Sequence, residues 1–244
     1  MHWTATVVEH SLAVITTKKG HTVTSTLQSE PVSVVLQRLL IAEEQHDPQE
    51  FAETGVDGFP AHLDAAERAE LFKNVYMSVS STAGELLYLL ARATGAHTVV
   101  EYGTSFGVST IYLASAVRDN GGGTVIGTEL QPEKAAAAQR NFVDAGVADL
   151  IELRVGDARS TLADVPGEID LVLLDGWPDL ALPVLRLLEP SLRPGSLILV
   201  DDVDMDFGSD VHGPLLAYLG EPSNGYLAIK LPMGDGVQAC VRLA

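Results

Sequence analysis

A single cysteine, Cys240, rules out an internal disulfide or a cysteine-based metal cluster in this 244-residue chain. Basic residues are also scarce: 15 Lys and Arg stand against 33 Asp and Glu, a formal charge of −18, and they form no cluster. A surface of that sign repels phosphate backbones and anionic lipid, which argues against nucleic acid or a membrane as partner. No run approaches the roughly 18 consecutive apolar residues that a membrane span needs. The opening Met1-His2-Trp3-Thr4 lacks the basic start and apolar run of a signal peptide. The expectation is a soluble cytoplasmic protein. Aromatics make up only 6%, but hydrophobic residues reach 46%, enough to bury a sizeable core and exclude disorder.

From about residue 97 the pattern alternates short β-rich runs with helical ones, the signature of a parallel sheet covered by helices. Strands are expected at 97–102, 124–129, 151–155, 169–174 and 196–200, the fourth almost wholly apolar, as a strand buried on both faces should be. Helices are expected at Val108–Arg118, between Pro132 and Gly146, across Pro178, Pro183 and Pro190 with breaks, and near His212–Leu219. Asp235-Gly236 between two apolar runs predicts a closing hairpin of 226–231 and 237–243, with Cys240 a buried thiol in its second strand. Before residue 97 the chain reads as mainly helical. Pro31–Gln45 is one amphipathic candidate, Asp64-x-x-Glu67 opens a helix towards Tyr76, and Thr82-x-x-Glu85 caps one ending at Gly95. Residues 4–27, rich in Thr and Val, are expected to form a small β-ribbon serving as lid or oligomer contact.

The chemistry concentrates at the strand ends. Glu101-Tyr102-Gly103-Thr104-Ser105-Phe106-Gly107-Val108-Ser109 follows the first strand and opens a helix. Glycines at 103 and 107 let the backbone turn tightly against a ligand in the crevice at the carboxyl ends of the strands. A dinucleotide loop, G-x-G-x-x-G, would place its middle glycine where Ser105 stands. The spacing E-x-G-x-x-x-G instead suits a cofactor that has no pyrophosphate and carries a cationic sulfonium near Glu101. Glu129, ending the second strand, suits two ribose hydroxyls, and Gly156-Asp157-Ala158 after the third suits an adenine edge. Asp175 ends the fourth strand; Asp201 and Asp202 end the fifth. Three carboxylates at one sheet edge repel one another, and a hard cation such as Mg²⁺, Mn²⁺ or Ca²⁺ would resolve that.

Taken together, these residues resemble the catechol and caffeoyl-coenzyme A O-methyltransferases, a branch of the class I S-adenosylmethionine methyltransferases. The similarity covers about residues 73–244 and is densest from Asp175-Gly176-Trp177-Pro178-Asp179 to Leu187-Leu188-Glu189, Gly195 and Val200-Asp201-Asp202. Met77-Ser78-Val79 is similar to the family segment that touches the cofactor. Glu101, Gly103 and Ser109 match its first motif, Glu129 its ribose acid, and Asp175, Asp201 and Asp202 its metal ligands. Leu231-Pro232-Met233-Gly234-Asp235-Gly236 resembles a turn near the family's C-terminus. The resemblance implies a class I methyltransferase, Rossmann-like α/β fold. Its seven-stranded sheet would be parallel except for the last strand, with an N-terminal segment (1–72) as lid or oligomer contact and a cofactor-binding domain over 73–244. It implies methyl transfer from S-adenosylmethionine to a hydroxyl of a small molecule such as a catechol, with a divalent cation acidifying that hydroxyl at Asp175, and a homodimer. Met77, Val79, Glu101, Gly103, Gly107, Ser109, Glu129, Asp157, Ala158, Asp175 and Trp177 are the expected cofactor contacts, with Trp177 also a candidate wall of the acceptor pocket. Two departures stand out. Asp202 replaces the family's usual Asn, and Pro178 stands where catechol-methylating members carry a catalytic Lys. His212 is the nearest substitute base in sequence order. The competing readings are a metal-independent N- or O-methyltransferase, a dinucleotide oxidoreductase and a non-catalytic cofactor-binding protein.

Overall fold

The computed structural model describes residues 25–243. Three helices come first: α1 (Glu30–Thr54), α2 (Ala65–Leu71) and α3 (Ser81–Thr94). Strands and helices then alternate: β1 (Thr98–Tyr102), α4 (Val108–Asp119), β2 (Thr124–Glu129), α5 (Pro132–Asp144), β3 (Ile151–Val155) and α6 (Ala158–Thr161). They continue through β4 (Ile169–Leu174), α7 (Pro178–Leu188), β5 (Leu192–Val200) and α8 (Gly213–Gly220) to the hairpin β6 (Tyr226–Leu231) and β7 (Val237–Arg242). The seven strands form one sheet in the order β3-β2-β1-β4-β5-β7-β6. All neighbours are parallel except β7, which runs antiparallel to both β5 and β6. This is the architecture expected from the sequence.

Alternation along each strand feeds two cores. Val99, Val125, Leu171 and Leu199 face the layer of α1, α3, α4 and α5, while Val100, Ile126, Val172 and Ile198 face α7 and α8. Both faces are therefore dry, which is why the central strands read as continuous apolar runs. Cys240 lies in the second core, as expected.

Several local expectations shift. The Asp64–Glu67 capping box is present, with Asp64 accepting from the Ala66 and Glu67 N–H groups at 2.9 Å each, but its helix ends at Leu71. The third helix is capped by Ser80, not Thr82: the Ser80 hydroxyl accepts from the Ala83 N–H at 3.2 Å. α1 does not stop at Gln45 but runs on through Pro48 to Thr54. α7 is one helix, with Pro178 in its first turn, where no N–H is needed, and Pro183 accommodated inside. The strand-like reading of residues 4–27 falls mostly outside the described residues; its end, Thr26–Gln28, is a short 3₁₀ turn. No helix among the described residues is long and apolar enough to cross a membrane.

Candidate active site

A cavity of about 700 Å³ opens at the carboxyl ends of β1, β2, β3 and β4, under the N-terminal helices. That is the crevice where open α/β sheets bind ligands. Three non-glycine residues among those described have positive φ: Met77 (47°), Ser105 (48°) and Asp202 (59°). All three line this cavity. Such conformations cost about 1–3 kcal/mol each and persist where the surroundings over-determine them, typically at functional sites.

Two of the strained residues, Ser105 and Met77, are held by identifiable partners. Ser105 donates its N–H to Glu129 Oε2 at 2.7 Å and its hydroxyl to the Tyr76 carbonyl at 2.6 Å. Met77 sits in a segment whose successive N–H groups are caught by two carboxylates of α1. Asp47 accepts from Tyr76 (2.8 Å) and Met77 (3.0 Å), and Glu43 accepts from Ser78 (2.8 Å). Glu43 and Asp47 are four residues apart, so they share one helical face. No local pattern signals this role, because their partners lie about thirty residues away.

Of the expected cofactor contacts, Met77, Gly103, Glu129, Asp157, Ala158, Asp175 and Trp177 line the cavity. Glu129 accepts from Ser105 and, at Oε1, from the Gln131 N–H at 2.8 Å, which fixes its carboxylate at the cavity edge. Asp157 caps α6 and pairs with Arg159. Gly103 is required twice over: its φ is +96°, and a Cβ there would come within 2.4 Å of the Asp175 carbonyl oxygen. Nearby, Lys134 is buried with its Nζ 3.3 Å from the Ser105 hydroxyl. Burial pulls it down to about 8, while the charges of Glu129 and Asp47 oppose that fall.

Val79, Glu101, Gly107 and Ser109 do not line the cavity. Val79 is core, and a Cβ on Gly107 would strike the Phe142 ring at 2.4 Å. Glu101 is fully buried and accepts from the hydroxyls of Thr104 (2.7 Å), Ser109 (2.6 Å) and Thr110. Burial raises its pKa and the three hydroxyls resist that rise. Its carboxylate therefore ties the end of β1 to the glycine loop and α4. We expect Glu101→Ala to cost about 3 kcal/mol and lower the melting temperature by roughly 6–12 °C, readable by calorimetry.

The acidic ends of β4 and β5 are neighbours, but they do not share one face. Asp175 lines the large cavity and Asp201 an adjoining one of about 300 Å³, while Asp202 borders both. Among the described residues, no three His, Cys, Asp or Glu side chains are grouped tightly enough to hold a metal ion as they stand. Their electrostatics nonetheless suit a cation. Burial raises Asp175 well above the usual aspartate range, and the charges of Asp201, Asp202, Glu101 and Glu43 push the same way. Burial raises Asp202 to about 7, and Asp201 to about 6. Among the described residues none of the three pairs with a Lys or Arg. The donors are oxygen alone, which Mg²⁺ and Ca²⁺ prefer, and Mg²⁺ completes its shell with water. The donor chemistry fits a hard cation.

The other half of the cavity is aromatic, and the sequence showed only Trp177 of it. Five rings from separate parts of the chain form a row of edge-to-face and tilted neighbours: Phe51–Phe72 at 5.7 Å, Phe72–Trp177 at 5.8 Å, Trp177–Phe59 at 6.5 Å and Phe59–Phe207 at 6.0 Å. All five border the cavity. His212 packs on Phe207 at 5.6 Å but does not line the large cavity, and burial lowers its pKa.

Comparison with known proteins agrees with this geometry. A family described as "Methyltransferase domain" matches residues 100–203. A catechol O-methyltransferase of Mycobacterium tuberculosis is 38% identical over 144 residues, which cover 59% of this chain and 63% of that protein. The match to a second catechol O-methyltransferase, from Niastella koreensis, likewise spans 60% of its length at 35% identity. A protein of Mycolicibacterium vanbaalenii described as an O-methyltransferase is 38% identical over 182 residues, covering 68% of this chain and 77% of its own. Among solved structures, the O-methyltransferase TomG from Streptomyces achromogenes, in complex with SAM, superposes with a TM-score of 0.63 at 25% identity, over 83% of this chain and 99% of its own. Identity of that extent, joined to this strand order and a strained cavity at the sheet's carboxyl edge, makes the chain a member of the class I S-adenosylmethionine-dependent O-methyltransferase family.

Proposed function

We propose that this protein transfers the methyl group of S-adenosylmethionine to a hydroxyl of a small aromatic molecule, with a divalent cation assisting. The observation that carries the reading is the convergence of the three strained residues on one cavity that runs from Glu129 to Asp175 and Asp202. TomG was solved with SAM, and two relatives are named catechol O-methyltransferases. Glu129, fixed by two backbone N–H groups, would accept the ribose hydroxyls; Asp157 and Ala158 would border the adenine. The Met77–Ser78 backbone and Gly103 would bracket the rest of the cofactor. The aromatic row would hold the acceptor ring and exclude water.

In the reaction the acceptor oxygen bonds to the methyl carbon as the carbon–sulfur bond breaks, with the electron pair left on sulfur. The leaving sulfur is neutral and needs no acid, so the protein's tasks are alignment and removal of one proton. Asp175, Asp201 and Asp202 would hold the cation, which when bound lowers the hydroxyl's pKa and fixes its angle. The carboxylate cluster is also where the proton would go, since Pro178 offers no base and His212 is shut away from the large cavity. Residues 25–72, the described part of the N-terminal segment, would act as the cover. The homodimer expected from the resemblance has a surface available: edge strand β6 exposes Leu227 and Ile229 at 63% and 61%.

One observation favours a second reading, metal-independent transfer: the three carboxylates are not gathered into a ready ligand set. The first test is incubation with S-adenosylmethionine and a panel of aromatic vicinal diols, read by mass spectrometry. The expected products are a monomethyl ether and an equal amount of S-adenosylhomocysteine. S-Adenosylhomocysteine binding without turnover on any diol would instead mark a non-catalytic binder.

A further inference from the structure

Arg68 is a buried cation that the methyl-transfer mechanism does not use. It lies in α2 at 2% exposure, and its guanidinium carbon stands 4.6 Å from the Phe59 ring centroid and 5.1 Å from that of Trp177. One terminal nitrogen donates to both Asp179 oxygens, at 2.9 and 2.8 Å. Its Nε is buried without a hydrogen-bond partner among the described residues. A guanidinium that hydrogen-bonds through one nitrogen while its planar face is engaged by two rings is not placed for hydrogen bonding alone. Both of those rings border the large cavity, whereas Arg68 itself does not.

The partners come from two distant parts of the chain. Phe59 and Arg68 belong to the N-terminal segment; Trp177 and Asp179 belong to the loop and first turn after β4, beside Asp175. A further bond joins the same segment to the loop after β5, where the Phe59 N–H donates to the Phe207 carbonyl at 2.7 Å. Gly58 permits this approach, since a Cβ there would stand 2.9 Å from the same oxygen. The β4 loop, in which Pro178 offers no charge of its own, thus has a fixed positive charge delivered by the N-terminal segment.

We infer that Arg68 is a positioning residue for the acceptor. It latches the N-terminal segment to the β4 loop through Asp179 and, by stacking, sets where Trp177 and Phe59 stand in the acceptor wall. The inference rests on the methyl-transfer reading for its acceptor, and wild-type turnover on an aromatic diol is the control that separates the two. The contacts of Arg68 itself are with Phe59, Trp177 and Asp179 and none is with Glu129, so its loss should weigh on the acceptor more than on the cofactor.

The test compares Arg68→Met, Arg68→Lys and Asp179→Asn in the full chain carrying Trp3→Phe, so that Trp177 alone fluoresces. Pyrocatechol and a bulkier catechol serve as acceptors. For Arg68→Met the expected result is an acceptor KM raised at least tenfold, S-adenosylhomocysteine affinity within twofold of wild type and a shifted Trp177 emission. Arg68→Lys, which keeps the charge and loses the planar fork, should recover only part of the KM, and Asp179→Asn should fall between Lys and wild type. Two results would overturn the inference. One is an unchanged acceptor KM in Arg68→Met. The other is a loss that strikes acceptor and S-adenosylhomocysteine alike and persists in Arg68→Lys, the mark of a residue that merely supports the fold. If Arg68→Met does not fold, Asp179→Asn, which removes a half-exposed partner, carries the same KM comparison. There an unchanged acceptor KM counts against the latch.

Discussion

Asp175→Ala is expected to lower methyl transfer by about 10³-fold or more, because cation-assisted activation is worth several kcal/mol and each ~1.4 kcal/mol is a factor of ten. The same variant should keep its affinity for S-adenosylhomocysteine, since the proposed ribose and adenine contacts, Glu129, Asp157 and Ala158, lie at the ends of β2 and β3. Single-turnover rates and calorimetry separate the two effects. Stability should move the other way. Asp175 shares a buried neighbourhood with Asp201, Asp202 and Glu43, and removing one of four like charges relieves repulsion. The pH dependence follows from the raised values of Asp201, about 6, and Asp202, about 7, against the ordinary 3.8. A carboxyl whose folded pKa is raised binds its proton more tightly in the folded protein. Its stabilising contribution is therefore full below about 3.8 and lost progressively as pH rises from there through about 6 to about 7. Cation-free wild-type protein should accordingly lose melting temperature across that window. Added Mg²⁺ should restore it in the wild type and not in Asp175→Ala. A mutant with full activity would remove Asp175 from the chemistry.

Glu129→Ala is expected to weaken S-adenosylhomocysteine binding about 10²-fold, the equivalent of two charge-assisted hydrogen bonds at ~1.5 kcal/mol each. The loss has a second source within the protein. Glu129 holds the Ser105 N–H at 2.7 Å, and Ser105 keeps its positive φ partly through that bond. Without it the glycine loop has less reason to stay in the strained form that borders the cavity. Lys134 should also respond: the Glu129 charge opposes the fall that burial imposes on it, so the variant should lower Lys134 below about 8. Calorimetric titration with S-adenosylhomocysteine checks the affinity, and a change of only a few fold would show that Glu129 does not hold the ribose.

The strands that carry these residues were legible because each is short, apolar and buried on both sides. β2, β3 and β4 begin and end where their sequence patterns do, and the Asp-Gly turn announced β6 and β7. The helices were less exact, for reasons that can be named. α1 is readable only as far as Gln45, yet it runs on through Pro48 to Thr54, carrying Asp47 to the Tyr76 and Met77 N–H groups about thirty residues away. Ser80 displaced Thr82 as a cap although the capping-box pattern favoured the latter. At the site, the strand-end acids and Gly103 were visible as residue types at fixed positions. Glu101 was visible as well, but nothing local revealed that three hydroxyls enclose its carboxylate. The aromatic row and the Arg68–Asp179 pair were out of reach, since partners 111 residues apart leave no periodicity or spacing to read.

The decisive measurement is turnover on an aromatic vicinal diol before and after exhaustive chelation, followed by stepwise return of Mg²⁺. If the carboxylates of β4 and β5 work through a cation beside the cofactor, activity should vanish on chelation and return in proportion to added Mg²⁺, with S-adenosylhomocysteine affinity unchanged throughout. Turnover that survives chelation would contradict the metal role of Asp175, Asp201 and Asp202 and leave the metal-independent transfer in its place.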